Sequence, residues 1–305
     1  MKRREFLAAV PLLGSVSALG ATTPEPGKKK SFRVAHLTDI HLKPGEIPEK
    51  GMARALHAAQ QLKPKPDFIM NSGDSIMDAL EADKPGVTTQ WKLFHEILKQ
   101  ENSLPIYHAI GNHDIWGWFN KSEQDKQDSV YGKQWAVDEL KLTKRYYSFE
   151  KDNWVFFVLD STQLNPKGGY IAYLDEEQLI WFKEKLATVQ NKHVCVVSHI
   201  PVLSICSGLF FNKTEANGDL LLKRNLMHTD FLQLKDLFKL YSNIKVCISG
   251  HIHLQDEVNY LGIRYYCNGA VSGNWWKGSF QEFAPAFAVM DFFDDGTFTR
   301  SMVNY

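Results

Sequence analysis

Six short runs of apolar residues end at loops that carry Asp, Asn or His, and this pattern constrains the fold more than any other. The runs cover residues 32–37, 67–70, 106–110, 154–159, 194–197 and 244–248. They are rich in β-branched residues and lack regularly spaced polar positions, which is typical of strands buried on both faces. We therefore expect buried strands with polar loops at their ends.

Amphipathic segments lie between these runs. Residues 49–62, 89–99, 175–187 and 229–240 carry apolar side chains at helical spacing. Asp175 and Thr229 stand at two of the starts, where a side-chain oxygen can cap a helix. Strands that alternate with helices indicate an α/β fold, whose ligands bind beyond the carboxyl ends of the strands. The polar loops are therefore candidates for a binding site.

The C-terminal part of the chain predicts strands at residues 257–260, 263–267, 286–292 and 297–303. Asp294-Asp295-Gly296 favours a hairpin turn between the last two. We expect this part to form an antiparallel sheet portion rather than a separate domain. Two long insertions, residues 115–145 and 201–228, are typical of lids or rims around a site.

Composition disfavours some classes of function. The 305 residues carry 35 basic and 35 acidic side chains and no net charge, so the basic excess of a nucleic-acid binder is missing. No nucleic-acid partner is expected. The spacing of the four cysteines fits neither a zinc ribbon nor a redox motif, and buried thiols are expected at Cys195, Cys206, Cys247 and Cys267.

The N-terminus resembles a bacterial twin-arginine export signal. Arg3 and Arg4 precede Phe6, Leu7 and an apolar stretch. A membrane anchor is the alternative, but the run is about 15 residues long and a bilayer span needs about 20. We expect residues 1–30 to be a signal and linker, with cleavage near residues 20–22, and residues 31–305 to be one exported domain in the periplasm or outside the cell, without a stable membrane anchor.

Five short motifs occupy the predicted strand ends. Each is weak alone, because Asp-x-His or Gly-Asp occurs often by chance. Together and in this order they are specific, and they read Asp39-x-His41, Gly73-Asp74, Gly111-Asn112-His113-Asp114, Ser198-His199 and Gly250-His251-Ile252-His253.

This pattern resembles the calcineurin-like metallophosphoesterase superfamily, and its bacterial phosphodiesterases of the cyclic-nucleotide or glycerophosphodiester type in particular. The resemblance implies a four-layer α-β-β-α sandwich with mixed sheets and a dinuclear metal site at the carboxyl ends of the strands. It also implies metal-dependent hydrolysis of a small-molecule phosphoric ester, either a phosphodiester or a phosphomonoester, by a hydroxide that bridges the metals.

The resemblance implies two overlapping sets of ligands that share Asp74 as the bridge. Carboxylate, imidazole and amide ligands without thiolates suit divalent Mn, Fe or Zn. One ion is expected on Asp39, His41, Asp74 and His253, and the other on Asp74, Asn112, His199 and His251.

By the same resemblance, His113 is a general acid or charge stabiliser rather than a ligand, and Asp114 orients its ring. Relatives with a ferric site have a Tyr ligand three residues after the bridging Asp. Met77 stands there in this chain, so a purple acid phosphatase is disfavoured. His251 and His253, two positions apart, are expected to share one face of a strand.

Other polar and aromatic residues leave alternatives open. Asp160 either reaches the site or caps a turn, and the aromatic residues Trp116, Trp118, Phe119, Trp275 and Trp276 either contact substrate or pack their loops. The segment from Lys121 to Lys133 is expected to be a solvated helix face. The remaining histidines are expected in the core or beneath the ligands (His36 and His108) or at the surface (His57, His95, His193 and His228).

Two other functions remain open from the sequence. A metal-binding sensor or scaffold without turnover would need the ligands but not the His113-Asp114 pair. A nuclease would need a basic track for its substrate, and none is visible.

Overall fold

The computed structural model describes residues 29–119 and 125–305. The predicted export signal lies outside these ranges except for its last two positions, and so do residues 121–124 of the Lys121–Lys133 segment. The strands are β1 (Lys30–Leu37), β2 (Phe68–Asn71), β3 (Ile106–His108), β4 (Tyr147–Lys151), β5 (Trp154–Leu159), β6 (Thr162–Leu164), β7 (Tyr170–Ala172), β8 (His193–Ser198), β9 (Lys213–Thr214), β10 (Leu220–Leu221), β11 (Ile244–Ser249), β12 (Gln255–Tyr260), β13 (Ile263–Asn268), β14 (Ala286–Phe293) and β15 (Phe298–Asn304). The helices are α1 (Glu46–Gln61), α2 (Lys84–Glu101), α3 (Gln134–Glu139), α4 (Glu176–Thr188), α5 (Ile205–Phe210) and α6 (Phe231–Phe238), with 3₁₀ turns at Asn112–Asp114 and Asp125–Gln127.

Two mixed sheets form the centre of the fold. The five-stranded sheet has the order β15-β14-β1-β2-β3, with β1, β2 and β3 parallel and β14 antiparallel to both of its neighbours. The six-stranded sheet has the order β12-β13-β11-β8-β5-β4, with four parallel central strands and antiparallel edges. The predicted mixed sheets are confirmed.

The two sheets pack face to face through side chains such as Phe32, Met70, Phe156 and Val197. Helices α1 and α2 cover the outer face of the five-stranded sheet, and α4 and α6 cover that of the six-stranded sheet. Each sheet thus buries both faces, as the continuous apolar runs require. The predicted four-layer α-β-β-α sandwich is confirmed. In the ranges described, no helix is long and apolar enough to cross a membrane.

Helix starts follow the capping side chains. Asp175 accepts a hydrogen bond from the Gln178 backbone N–H at the start of α4, as predicted. Helix α2 begins five residues earlier than predicted, because Asp83 caps it. Thr229 does not cap α6; its hydroxyl donates to the Ala172 carbonyl instead.

The four C-terminal strands are present, and they are shared between the two sheets. Strands β12 and β13 extend the six-stranded sheet, whereas β14 and β15 extend the five-stranded one. Gly296, with φ of 83°, lies in the predicted turn between β14 and β15. The four C-terminal strands therefore add to the edges of both sheets, whereas the sequence predicted that they would form a single antiparallel portion.

Candidate metal centre

All seven predicted ligands lie in loops that follow parallel strands. The loops after β1, β2 and β3 supply Asp39, His41, Asp74 and Asn112, and those after β8 and β11 supply His199, His251 and His253. Both sheets therefore contribute to one site, at the edge where ligands of α/β folds bind.

The side chains converge on two neighbouring points. The ligand atoms of Asp39, His41 and His253 lie within 4.8 Å of one another, and so do those of Asp74, His199 and His251. A third such group joins Asp74 to two further side chains, His41 and His113. Asn112 completes the set, with its Oδ1 3.0 Å from His199 Nε2. Their role as ligands stays a prediction, but the geometry permits two ions that share Asp74.

Two carboxylates are buried at this centre without a lysine or arginine partner. Asp39 is 0% and Asp74 2% exposed, and within the described ranges their ion pairs are with histidines alone. Buried carboxylates need compensating positive charge. The donor set of carboxylate, imidazole and amide groups therefore fits divalent cations.

Backbone carbonyls orient two of the imidazoles. Nδ1 of His199 donates to the Ser72 carbonyl over 3.0 Å, and Nδ1 of His253 donates to the Gly273 carbonyl over 2.5 Å. Because a carbonyl only accepts, Nε2 of each neutral ring is left with its lone pair. These Nε2 atoms lie 3.2 Å and 3.3 Å from carboxylate oxygens of the centre. Such tautomer control is typical of metal-binding histidines.

His251 is oriented through its other nitrogen, and sequence analysis missed the residue that does this. Nε2 of His251 donates to the Asn225 carbonyl over 2.8 Å, which leaves Nδ1 free, 3.3 Å from His199 Nε2. Asn225 belongs to the 201–228 insertion, so this insertion supports the site as well as its rim. Any residue type could supply this backbone carbonyl, so the identity of residue 225 does not predict the contact. The position of Asn225 in the 201–228 insertion was the one indication in the sequence.

Protonation at the centre follows from burial and charge. Burial lowers the pKa of His41 to about 4, and burial together with His199 lowers the pKa of His251 to about 3. Burial also opposes protonation of His199, but the charge of Asp74 outweighs it and raises the pKa of His199 to about 9. One imidazolium thus offsets Asp74, and a bound cation would displace this proton.

The backbone is strained at most of the predicted ligands. A positive φ is uncommon for residues other than glycine and persists only where the surrounding structure imposes it. Five of the seven adopt one, namely Asp39 (53°), His41 (48°), Asp74 (54°), His251 (70°) and His253 (58°). The expectation that the last two share a strand face is wrong, because β11 ends at Ser249 and both lie in a left-handed turn beyond it.

Two glycines allow the loops to meet. A Cβ on Gly250 would lie 2.2 Å from Asp39 Oδ2, and a Cβ on Gly111 would lie 2.1 Å from Asp74 Oδ1. No other residue fits at these contacts. The backbone N–H of His251 donates to both carboxylate oxygens of Asp39 in the space that Gly250 leaves.

His113 faces the centre, but Asp114 does not orient it. Nδ1 of His113 donates to the Met77 carbonyl over 2.6 Å, which leaves Nε2 for the pocket. The Asp114 carboxylate instead accepts four backbone N–H groups, from Asp74 (3.0 Å), Ser75 (2.8 Å), Ile76 (3.2 Å) and Gly111 (2.9 Å). The predicted role of Asp114 is therefore corrected: it holds the loop that carries Asp74. Burial and the charge of Asp74 raise its pKa to about 7.

A pocket of about 170 Å³ opens on these side chains. Its polar lining residues are His41, Asp74, Asn112, His113, His251 and His253, and the rest of the lining is aromatic and aliphatic. The apolar lining residues are Tyr170, Phe211, Leu226, Ile252, Trp275 and Phe280. Of the predicted rim aromatics, Trp275 therefore faces the pocket, whereas Trp116 is 1% exposed and packs in the core.

Asp160 does not reach the site. Its buried carboxylate pairs with Lys133 Nζ over 2.5 Å and with Arg145 Nη1 over 2.8 Å. The predicted solvated face is consequently wrong at Lys133, whose side chain is 12% exposed and contacts Gln163 and the Trp118 ring. The pairing joins the 115–145 insertion to the end of β5.

Among the other histidines, His36 and His108 lie beneath the site as predicted, where they contact Asn268 and Asn71. His228 departs from its predicted surface position. It is 1% exposed and its Nδ1 lies 2.9 Å from Asp230. The cysteines are free thiols, three of them buried, and Cys206 is half-buried.

Three known proteins are similar to this chain over most of its length. A 3′,5′-cyclic-nucleotide phosphodiesterase of Nostoc sp. is 24% identical over 289 residues, which cover 90% of this chain and 93% of that protein. A probable glycerophosphodiester phosphodiesterase of Arcobacter nitrofigilis is 25% identical over 233 residues, 74% and 68% of the two chains. The crystal structure of a dimetal phosphatase from Danio rerio superimposes with a TM-score of 0.60 at 12% identity, over 91% of this chain and 100% of that one.

The predicted enzyme class, a metal-dependent phosphoric ester hydrolase, is confirmed by the family match and these relatives. The model of the calcineurin-like phosphoesterases matches residues 32–255, from the third residue of β1 to the first residue of β12. This segment contains every predicted ligand, and the chain therefore belongs to the calcineurin-like phosphoesterase family.

Proposed function

We propose that this protein is a two-metal phosphodiesterase that acts on a small-molecule phosphodiester outside the cytoplasm. The observation that carries the proposal is two neighbouring groups of ligand atoms on buried or half-buried side chains, of which one contains Asp74 and the other is joined to Asp74 through His41. A single bridging carboxylate is what two ions about 3.5–4 Å apart require.

The ligands divide into two sets around Asp74. The first set is Asp39, His41, Asp74 and His253, and the second is Asp74, Asn112, His199 and His251. These donors suit Mn, Fe or Zn. When bound, the ions would supply Lewis-acid stabilisation of the phosphoryl oxygens and activation of the attacking water.

His113, protonated on both ring nitrogens, is the proposed proton donor to the leaving oxygen: Nε2 gives up its proton, and Nδ1 keeps the proton that it donates to the Met77 carbonyl. Its Nδ1 is held by the Met77 carbonyl, and its backbone N–H donates to Asp74 Oδ1 over 2.8 Å. The ring is thus fixed at two points, and Nε2 is the atom available to the substrate. A positioned donor of this kind speeds a reaction about 10²–10⁴-fold. It also argues against a sensor or scaffold, which would not need the residue.

The charge of the pocket favours a diester over a monoester. None of the described lining residues is a lysine or arginine, so this lining has no permanently charged side chain to neutralise the second negative charge of a monoester. A diester carries one negative charge and two organic groups, which suits a pocket whose lining is half apolar. The two relatives named above are phosphodiesterases, in agreement with this choice. The missing basic track disfavours a nuclease.

Export by the twin-arginine route is proposed from Arg3, Arg4, Phe6 and Leu7. This route carries folded proteins, so the metal centre would be loaded before export. Fractionation of cells that express the full chain should find the protein outside the cytoplasm, and replacement of both arginines by Lys should retain it inside. Equal export of both chains would contradict the proposal.

The activity itself is tested with metal-free protein that is reloaded separately with Mn, Fe or Zn. Bis(p-nitrophenyl) phosphate and p-nitrophenyl phosphate serve as diester and monoester. We expect hydrolysis only after reloading, with a higher kcat/KM for the diester. Preference for the monoester would overturn the diester assignment, and no hydrolysis with any metal would overturn the enzymatic proposal.

A further inference from the structure

A pair of tryptophans beside the metal centre has a backbone that is rare for such residues. Trp275 and Trp276 both have positive φ, 47° and 69°. For bulky side chains this conformation is a true outlier, and it persists only where other contacts impose it. Two successive outliers beside the metal centre indicate that the directions of these two rings contribute to the function of the site.

Trp276 supplies the contacts that hold this conformation. Its indole N–H donates to the His41 carbonyl over 3.0 Å, and its backbone N–H donates to the Ser272 carbonyl over 2.8 Å. Its ring occupies the space beside Gly51 of α1, where an added Cβ would lie 2.0 Å from a ring carbon. Trp276 therefore anchors the loop both to α1 and to the backbone of a predicted ligand.

Trp275 is consequently turned towards the pocket. Its ring lies 4.4 Å from the His253 ring at an interplanar angle of 34°, and 5.6 Å from the Phe280 ring at 76°. Phe280 in turn stacks on Phe211 at 6.1 Å. The three aromatic rings form a continuous apolar wall, which begins directly at the metal centre.

We propose that Trp275 is a specificity-determining residue, which stacks on an uncharged aromatic or heteroaromatic group attached to the phosphoryl centre. Trp276 is the residue that positions it. The lack of lysine and arginine in the described pocket lining disfavours an anionic group, and stacked aromatic pairs gain affinity beyond the area they bury. The inference rests on the proposed metal centre and extends it to the organic part of the substrate.

The test compares two phosphonates that are not hydrolysed. Calorimetry measures the Kd of phenylphosphonate and of methylphosphonate for the metal-loaded full chain. Both probes offer a phosphonate group to the metals, only one has an aromatic ring, and a pH above the second pKa of both gives them the same charge. We expect phenylphosphonate to bind more tightly to the unchanged protein. Because no turnover is involved, failure of the proposed activity and failure of this inference give different results.

Substitution of Trp275 identifies the cause of the preference. Trp275→Ala should raise the Kd of phenylphosphonate about tenfold and that of methylphosphonate less than twofold, whereas Trp275→Phe should keep most of the preference. Trp275→Leu, which retains bulk without an aromatic face, should behave like Trp275→Ala and serves in its place if that variant does not fold. Trp276→Phe, which loses the indole donor, should give an intermediate loss.

Phe210→Ala is the matched control, because Phe210 is an exposed aromatic residue that precedes Phe211 but does not line the pocket. It should leave both Kd values unchanged. Equal weakening of both probes by Trp275→Ala or Trp275→Leu would assign Trp275 to support of the metal centre alone. Unchanged binding of phenylphosphonate would remove it from recognition. Either result overturns the proposal.

Discussion

The Nε2 atoms of His41 and His253 lie 2.9 Å apart, although 212 positions separate the two residues in the chain. Both rings are buried, and the other nitrogen of His253 already donates to the Gly273 carbonyl. Two imidazole lone pairs face each other at this distance unless a proton or a metal ion lies close to them. The contact is therefore one that a cation would stabilise.

Removal of metal should lower the thermal stability. A ligand at 100 times its Kd stabilises a protein by about 2.7 kcal/mol, and about 1 kcal/mol shifts Tm by about 2–4 °C in a domain of this size class. We expect chelation to lower Tm by about 5–10 °C, measured by calorimetry, and reloading with Zn or Mn to restore it. An unchanged Tm would contradict a metal centre that couples the two sheets.

Asp74→Asn should remove more metal than any other single substitution, because Asp74 belongs to both ligand sets. Elemental analysis should find less than one ion per chain, and kcat/KM should fall by at least about 10³. Asp78→Asn on the same loop is the control, since its carboxylate accepts from the Glu81 backbone N–H and belongs to neither ligand set. Two retained ions in Asp74→Asn would contradict a bridging role.

His113→Ala should keep both ions and lose turnover. The expected loss in kcat is about 10²–10⁴-fold, the usual contribution of a positioned proton donor. Steady-state kinetics and elemental analysis on the same preparation distinguish the two effects. Loss of metal in proportion to activity would instead make His113 a ligand.

Asp114→Asn should destabilise the fold. One carboxylate oxygen, which accepts from two backbone N–H groups, becomes an NH₂ group that cannot accept. Unsatisfied buried donors cost about 1–3 kcal/mol each, so the loss of two acceptors should lower the free energy of unfolding in urea by about 2–6 kcal/mol. His113→Ala provides the comparison and should change this free energy much less. A stable Asp114→Asn protein with low activity would restore the predicted orienting role.

Lys133→Met should weaken the attachment of the 115–145 insertion. Breaking a buried ion pair usually costs about 3–5 kcal/mol, but Arg145 still neutralises Asp160. We therefore expect a loss of about 2–3 kcal/mol in the free energy of unfolding. Lys167→Ala, at an exposed loop position, should have little effect, and equal effects of the two variants would contradict the structural role of Lys133.

The fold could be predicted from sequence where local pattern and burial agree. Trp154–Leu159 is a strand with the predicted bounds, because a fully buried strand leaves a continuous apolar run. Tyr147–Lys151 was not predicted, since it is an edge strand whose partly exposed faces carry Ser, Glu and Lys. Edge strands depend on pairing with a neighbour, and their own composition says less about them.

The candidate site divides in the same way. Motif order was sufficient to select the seven side chains that the fold brings together. The partner of Asp114 could not be predicted, because its four donors are backbone groups of loops whose approach depends on Gly111. The burial of Lys133 likewise depends on Asp160, 27 positions away. The side chains of the site could thus be predicted from the sequence. Their contacts with backbone groups and with side chains at distant positions could not.

The division of the ligands between the two sheets has a mechanical consequence. Asp39, His41, Asp74 and Asn112 follow strands of one sheet, and His199, His251 and His253 follow strands of the other. The sheets also meet through side-chain packing and through hydrogen bonds such as those from Asn268 to His36 and from Trp154 to the Phe293 carbonyl. An ion bound by ligands from both sheets would link the two layers. A displacement of one sheet relative to the other would then separate the ligands, and activity would be lost at the same time.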